Sequence, residues 1–298
     1  MATQQRPFHL VVFGASGFTG QFVTEEVARE QVSPERTSHL PWAVAGLGII
    51  ICDITNPASL DEMAKQATVV LNCVGPYRFY GEPVIKACIE NGTSCIDISG
   101  EPQFLKLMYW KYHEKAAEKG VYIIGSSGFD SIPADLGVIY TRNKMNGTLT
   151  AVESFLTIRS GPEGLCIHDG TWKSAVYGFG DKSNLKKLRN ESDMKPVPIV
   201  GPKLKRRWPI SYCRELNSYS IPFLGADVSV VKRTQRYLHE NLEQSPVQYA
   251  AMTLLNDVSD LPKAGGVFTP GAAFSRTKLI DRLNERGIEF SVISSTEV

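Results

Sequence analysis

Three glycines, Gly14, Gly17 and Gly20 in Gly14-Ala15-Ser16-Gly17-Phe18-Thr19-Gly20, have the spacing that most plainly implies chemistry. They follow the apolar run His9 to Phe13. They also open the stretch Gln21 to Arg29, whose apolar positions Phe22, Val23 and Val27 recur at helical spacing. A glycine turn between strand and helix can hold a pyrophosphate. The first glycine makes the tight turn, the second lets the backbone approach the phosphates, and the third lets the helix pack close to the strand. N–H groups at the helix N-terminus then face the anion. Two residues separate the first two glycines where the simplest form has one, so a plain β–α turn without a ligand also fits. A dinucleotide is the better reading.

Three further polar loops follow apolar runs. Asn72-Cys73-Val74-Gly75-Pro76-Tyr77 ends one, and Gly75 would let the backbone come close to a ribose or nicotinamide. Asp97 to Glu101 ends the next, and Gly125 to Asp135 the one after. Ligands of doubly wound sheets lie outside the carboxyl ends of the strands, so these loops are expected to converge on one crevice. Asp53, after Ile49 to Ile51, would accept a hydrogen bond from the adenine amino group or begin the next element as a cap. The residue that selects NAD or NADP, an acid or an arginine ending the second strand, cannot be read. Trp42 to Gly46 passes through Leu47-Gly48 almost directly into Ile49. A parallel crossover needs about a dozen residues, so either these runs form a hairpin or a crossover segment is absent from this chain. The second is expected.

An alternation of short apolar strands with helices must position these loops. Strands are predicted at His9 to Phe13, Trp42 to Ala45, Ile49 to Ile51, Val69 to Cys73, Cys95 to Ile98 and Val121 to Ile124. Helices are predicted at Leu60 to Gln66, Pro83 to Asn91 and Gln103 to Lys119. Such strands need crossover helices, which gives an α/β fold: a Rossmann-type doubly wound parallel sheet. From about Met145 a second, mixed α/β domain is expected, with a strand at Ala151 to Ile158 and a helix from Gly170 to Phe179. The domains read as 1–145 and 146–262. The tail, helix Thr277 to Arg286 and strand Ile288 to Ile293, would complete the first as 263–298. Near Tyr249-Ala250-Ala251-Met252 helical sequence resumes without a turn signal, a second place where a segment is suspected to be absent.

The charge balance excludes some partners. Thirty-two Lys and Arg against 31 Asp and Glu leave a net charge of +1 over 298 residues. No overall field would hold a nucleic acid backbone, and none is expected as partner. The six cysteines show no C-x-x-C and no nearby His pair, which argues against a metal centre or a disulfide framework. The start, MATQQRPFHL, lacks a secretory pattern, and no apolar stretch reaches the length of a membrane span. A cytosol-facing, reducing location is expected. Lys203 to Arg207 beside Trp208 is the main basic cluster, a solvated loop or a contact for acidic lipid headgroups.

Taken together, GASGFTG, NCVGPYRFYGEPVIKAC, CIDISGEPQF, GFDSIPADLG and GGVFTPGAAF resemble the saccharopine dehydrogenase-like oxidoreductases across essentially the whole chain. The resemblance implies an NAD(P)-binding domain, with NADP slightly favoured. Gly14, Gly17 and Gly20 would lie at the phosphates and Gly75-Pro76-Tyr77 near the nicotinamide, with an α/β domain covering the cleft. It also implies relatives acting on lipids, such as the trans-acting enoyl reductases of mycobacterial glycolipid synthesis. Relatives usually continue the second strand as Ala-Gly-Arg, where this chain has Ala45-Gly46-Leu47. They also carry more sequence, partly strongly apolar, around Ala250-Ala251-Met252. Contact with a membrane or lipid-droplet surface, and a homodimer, are compatible with this reading.

For the cofactor the predicted residues are Gly14, Ala15, Ser16, Gly17, Phe18, Thr19, Gly20, Asp53, Asn72, Gly75, Pro76 and Tyr77. Hydride transfer asks the protein for a held substrate, a proton donor and an oxyanion partner. Tyr77, Asp130 and His168 are the candidates for that chemistry. His168 beside Asp169 also reads as a surface or capping pair, and Asp130 as a turn residue. Arg78 could pair with a substrate carboxylate, but a diacid such as saccharopine needs several cations. Tyr140 and Lys144 match a Y-x-x-x-K pattern, with Ser127 upstream, at a frequency close to chance. The expected activity is an NAD(P)-dependent oxidoreductase acting on a lipid-like or apolar carbonyl or enoyl substrate. The alternative is a dinucleotide-binding scaffold or sensor at a lipid surface with little turnover.

Overall fold

The computed structural model describes residues 6–31, 47–158, 162, 167–181, 196–205, 207 and 209–254. The chain divides into two compact units. The first is Met1–Gly125 with Ile167–Glu191, and the second is Ser126–Cys166 with Ser192–Val298. The contiguous part of the first unit therefore ends at Gly125 rather than near Met145, and the chain returns to that unit once.

In the first unit β1 (Phe8–Phe13), β2 (Ala67–Asn72), β3 (Ser94–Asp97) and β4 (Ile123–Ile124) form one parallel sheet in that order. The register pairs Phe13 with Asn72 and Asn72 with Asp97, so three strands end flush on one edge. Parallel neighbours must be joined by crossovers. Helix α3 (Tyr77–Glu90) joins β2 to β3 and α4 (Pro102–Lys119) joins β3 to β4. Helix α1 (Phe18–Gln31) follows β1, and α2 (Pro57–Gln66) leads into β2. Leu60, Met63, Val70, Val84, Ile85, Ile89, Cys95 and Phe104 fill the core between helices and sheet. Each such side chain contributes about 1.5–3 kcal/mol by leaving water.

Two sequence expectations are corrected here. Ile49 to Ile51 is not a strand: Ile49 and Ile51 are 87% and 90% exposed, and only Ile50, Cys52 and Ile54 turn toward the core. Without a ladder partner among the described residues, the run is apolar but irregular. Helix α3 begins at Tyr77 and contains Pro83, which the sequence placed at its start. Tyr77 and Gly81, in the turns ahead of Pro83, are buried. Trp42 to Ala45, residues 182–195 and the tail 263–298 lie outside the described residues.

The amino-terminal edge of the sheet is held by Arg6. Its Nη1 donates to the carbonyls of Ala64, at 2.8 Å, and Ala67 and to Thr93 Oγ1. Its Nη2 donates to the carbonyls of Asn91 at 2.5 Å and Gly92 at 2.9 Å. Arg6→Ala strips a partner from five acceptors. It is expected to lower stability by about 2–3 kcal/mol in urea unfolding, with the slope unchanged.

The second unit is built on β5 (Ala151–Leu156), β6 (Ser211–Cys213), β7 (Ser218–Pro222) and β8 (Gln248–Leu254), in the order β5-β8-β7-β6. The β5–β8 pair is parallel and the other two are antiparallel. Tyr249 to Met252 is thus the middle of a central strand, not resumed helix, because β5 and β7 pair with it on both sides. Helix α5 (Ile132–Lys144) and a later helix, Asp227–Leu242, cover the sheet with Ala134, Val138 and Val231 against Val247, Tyr249 and Ala251. Between β5 and β6 the chain forms α6 (Asp169–Gly180), which belongs to the first unit. The helix Asp227–Leu242 is α7.

Candidate functional site

The glycine turn has the geometry its spacing implies. Gly14 lies at φ +87°, a left-handed conformation, and a Cβ there would stand 2.7 Å from Val74 Cγ2. Gly17 donates its N–H to the Gly14 carbonyl at 2.9 Å, which closes the turn. A Cβ on Gly20 would stand 1.9 Å from that same carbonyl oxygen, so only glycine lets α1 approach β1 this closely. Ala15, Ser16, Gly17 and Phe18 are exposed, Thr19 is half-buried and Gly20 is buried. The outer face of the turn is open.

Across the carboxyl edge, Asn72 is 1% exposed. Its Oδ1 accepts the Val74 N–H at 3.0 Å, while its Nδ2 is buried without a partner among the described residues. Tyr77 follows the Gly75-Pro76 bend, and its hydroxyl donates to the Asn72 carbonyl at 2.8 Å. Burial, with the Asp97 carboxylate nearby, pushes the Tyr77 phenol far above its ordinary value. It is a neutral group committed to the end of β2. Asp97 Oδ1 accepts from Ser99 N at 2.8 Å and Ser99 Oγ at 2.5 Å.

Glu101, 3% exposed at the N-cap of α4, is the hub of this edge. Its Oε1 accepts the Tyr77 N–H at 2.9 Å, so it satisfies the open end of α3. The same oxygen takes Ser174 Oγ of α6 at 3.2 Å. Its Oε2 takes Arg78 Nε at 2.9 Å, and Arg78 Nη1 reaches Asp181 at 3.3 Å. Arg78 Nη2 is buried without a partner among the described residues. Gln103 Nε2 donates to the Gly178 carbonyl at 3.3 Å, and its Oε1 also lacks a partner. Beside the cluster stand Phe79, Tyr80 and Tyr177, all exposed, with Arg78 over the Tyr177 ring and Phe79 edge-on to it at 5.0 Å.

At the other end of α6, His168 is the N-cap. Its Nδ1 accepts the Gly170 N–H at 3.1 Å, and its ring stacks on Phe18 at 4.1 Å with 15° between the planes. The capping reading of His168 therefore holds, with a partner in the glycine turn that sequence spacing could not show. Asp53 Oδ1 accepts from Thr55 N and Oγ1, which holds its carboxyl below the ordinary pKa. The cap of α2 is Asn56 instead.

Asp130 lies in the second unit. Its residue surface is largely exposed, but its carboxylate tip is enclosed: Oδ2 accepts the Ala226 N–H at 3.3 Å, and the tip packs against Gly225. Burial raises its pKa. Asp227, the first residue of α7, is pushed up to about 8 by burial and by the Asp130 and Asp135 carboxylates. Its Oδ1 has no partner. Lys144 lies over the ring of Tyr140, 5.7 Å from its centroid. Arg207 of the basic cluster binds both oxygens of Glu153, at 2.7 and 2.6 Å, so its charge is neutralised. Among the described residues no group of three or more His, Cys, Asp or Glu could hold a metal ion, and no helix is long and apolar enough to cross a membrane.

Residues 10–124, the sheet and helices just described, match the saccharopine dehydrogenase NADP binding domain. A saccharopine dehydrogenase-like oxidoreductase of Bos taurus is 68% identical, with all of both chains covered. The chain belongs to this family. The bovine alignment runs over 429 positions against 298 residues here, so that relative carries segments this chain lacks. As a member of the family the chain is an oxidoreductase of the NAD(P) class, with NADP favoured by its binding domain. A Caenorhabditis elegans relative named lipid droplet localized protein is 38% identical over 80% of this chain and 62% of its own. A Mycobacterium ulcerans relative named trans-acting enoyl reductase is 36% identical over 54% of this chain and 42% of its own.

The dinucleotide fits the residues present. The left-handed Gly14 and the Gly20 contact build a turn that a side chain would fill. The orphaned Asn72 Nδ2, Arg78 Nη2 and Gln103 Oε1 are two donors and an acceptor that a bound amide or ribose would satisfy. Glu101, Ser174 and Asp181 are candidate-site residues that sequence reasoning missed as a set. The signal was the polar GEPQF loop, but its partners lie 24 to 73 residues away.

Proposed function

We propose that this oxidoreductase acts on a lipid-like or otherwise apolar carbonyl or enoyl compound. The observation that carries the proposal is the exposed aromatic group Phe79, Tyr80 and Tyr177 beside the Arg78–Glu101–Asp181 cluster. Arg78 is shared by two carboxylates there, so the cluster is net negative and repels a carboxylate substrate. The aromatic face favours an apolar one, because burying it against a hydrocarbon removes both from water. The names of the nematode and mycobacterial relatives point the same way.

In this reading Gly14 to Gly20 hold the cofactor phosphates through backbone N–H groups. Asn72, Gly75 and Pro76 line its nicotinamide half, and Asp53 lies on the adenine side. The cofactor, when bound, supplies a hydride. Glu101 fixes the α3 terminus against which the substrate would sit, and Tyr77 anchors the end of β2 rather than moving a proton. Asp130 is the candidate acid. Burial raises its pKa above the ordinary carboxylate value, the direction a proton donor needs.

The test is the fall in NADPH absorbance when the full chain meets long-chain enones, aldehydes, and dicarboxylic oxo acids. Turnover with apolar compounds alone is expected, and turnover with diacids alone would reverse the proposal. A second reading, a dinucleotide-binding scaffold at a lipid surface, draws on the nematode relative's name. Tight NADPH binding with no turnover on any compound would favour it.

A further inference from the structure

Helix α6 is anchored at both ends to features of the first unit. His168 at its start stacks on Phe18 of the glycine turn, and Asp181 at its end takes Arg78 at the start of α3. Twelve helical residues span about 18 Å, so α6 reaches from the turn to the loop after β2. His168 Nδ1 accepts a backbone N–H, so that nitrogen carries no hydrogen and the neutral ring bears it on Nε2. Two contacts then fix the ring: the stack sets its plane and the Gly170 bond sets its rotation. What remains is one donor, Nε2–H, on an exposed residue beside a turn whose open face presents backbone N–H groups.

We infer that His168 is a cofactor residue that donates from Nε2 to a phosphate of the bound dinucleotide, held for that task by Phe18 and Gly170. The inference rests on the dinucleotide reading above. It takes His168 out of the hydride chemistry, since the loop after β2, proposed for the nicotinamide, lies toward the far end of α6. The phosphate is either the pyrophosphate, common to NADH and NADPH, or the 2′-phosphate of NADPH alone.

Calorimetric titration of the full chain with each cofactor separates these. His168→Phe keeps a ring to stack on Phe18 and removes the donor. His168→Asn keeps a capping acceptor for Gly170, so the helix start survives, and loses the donor's reach. Both variants are expected to weaken binding by about tenfold or more. Equal loss for both cofactors assigns the pyrophosphate, and loss for NADPH alone assigns the 2′-phosphate. In wild-type protein with 15N-labelled histidine, inorganic pyrophosphate alone is expected to shift the Nε2 resonance in the first case. Wild-type affinity in both variants would overturn the inference while leaving the dinucleotide reading intact. A wild-type chain that binds neither cofactor would remove that reading and this one together.

Discussion

Gly20→Ala is expected to cost about 3 kcal/mol or more of stability and to abolish cofactor binding. The new methyl would stand 1.9 Å from the Gly14 carbonyl oxygen, 2.7 Å from its carbon and 2.9 Å from Ala15 Cα. All three are backbone atoms of a turn closed by its own hydrogen bond, so no side chain can rotate away. Relief requires α1 to lift off β1, which opens the packing and spoils the turn at once. Gly17→Ala is the informative companion. Its methyl would sit 3.2 Å from the same oxygen on an exposed residue, a contact the turn can absorb. It is expected to leave urea stability within about 1 kcal/mol and still weaken NADPH, because the methyl occupies the face that a phosphate approaches. Equal stability of the Gly20→Ala chain and the wild type would refute the close approach.

The second large effect is a pH dependence set by Asp227. Its carboxyl is pushed up to about 8 in the folded chain, against an ordinary value near 4 when unfolded. Between those values the folded state keeps a proton that the unfolded state has released, so stability falls as pH rises from about 4 to about 8 and levels off above. The causes are burial first, then the carboxylates of Asp130 and Asp135. Tyr249, raised by the same burial, stays neutral through this range. A helix N-terminus ordinarily favours an ionised aspartate by about 0.3–1 kcal/mol, a smaller effect than burial beside two like charges. Asp227→Asn is expected to flatten the dependence and to raise stability at pH 9 by about 2 kcal/mol or more. At pH 5, where the wild-type group is already neutral, the change is expected to be small. Parallel pH curves for the two proteins would rule the origin out.

The parts of the site legible in the sequence were those that depend on neighbours along the chain. The roles of Gly14 and Gly20 follow from strand, turn and helix in immediate succession, and the structure gives each its expected contact. The polar ends of β2 and β3 were legible for the same reason. Glu101 was not, because its bonds to Tyr77, Arg78 and Ser174 cross three helices. Pro83 hid the first turn of α3, since proline usually marks a helix start while here the turn before it is closed by Glu101 from another element. The placing of α5 was missed because its apolar face gives no hint of which sheet it covers. For Asp227, charge repulsion across 97 residues of separation from Asp130 left no local trace.

The strand order β5-β8-β7-β6 constrains how the chain folds as it is made. Among the described residues the first unit's parallel strands are all made by Ile124, and they can zip in order as they emerge. The second unit makes β5 early, yet the strand that pairs with β5, Gln248–Leu254, is the last of its described strands. Until about a hundred further residues are synthesised, β5 has an unmatched edge, and α6 emerges in that interval to join a unit already formed. Delayed edges of this kind are where nascent chains associate wrongly. Chaperone demand during synthesis should therefore rise as β5 emerges and end with β8.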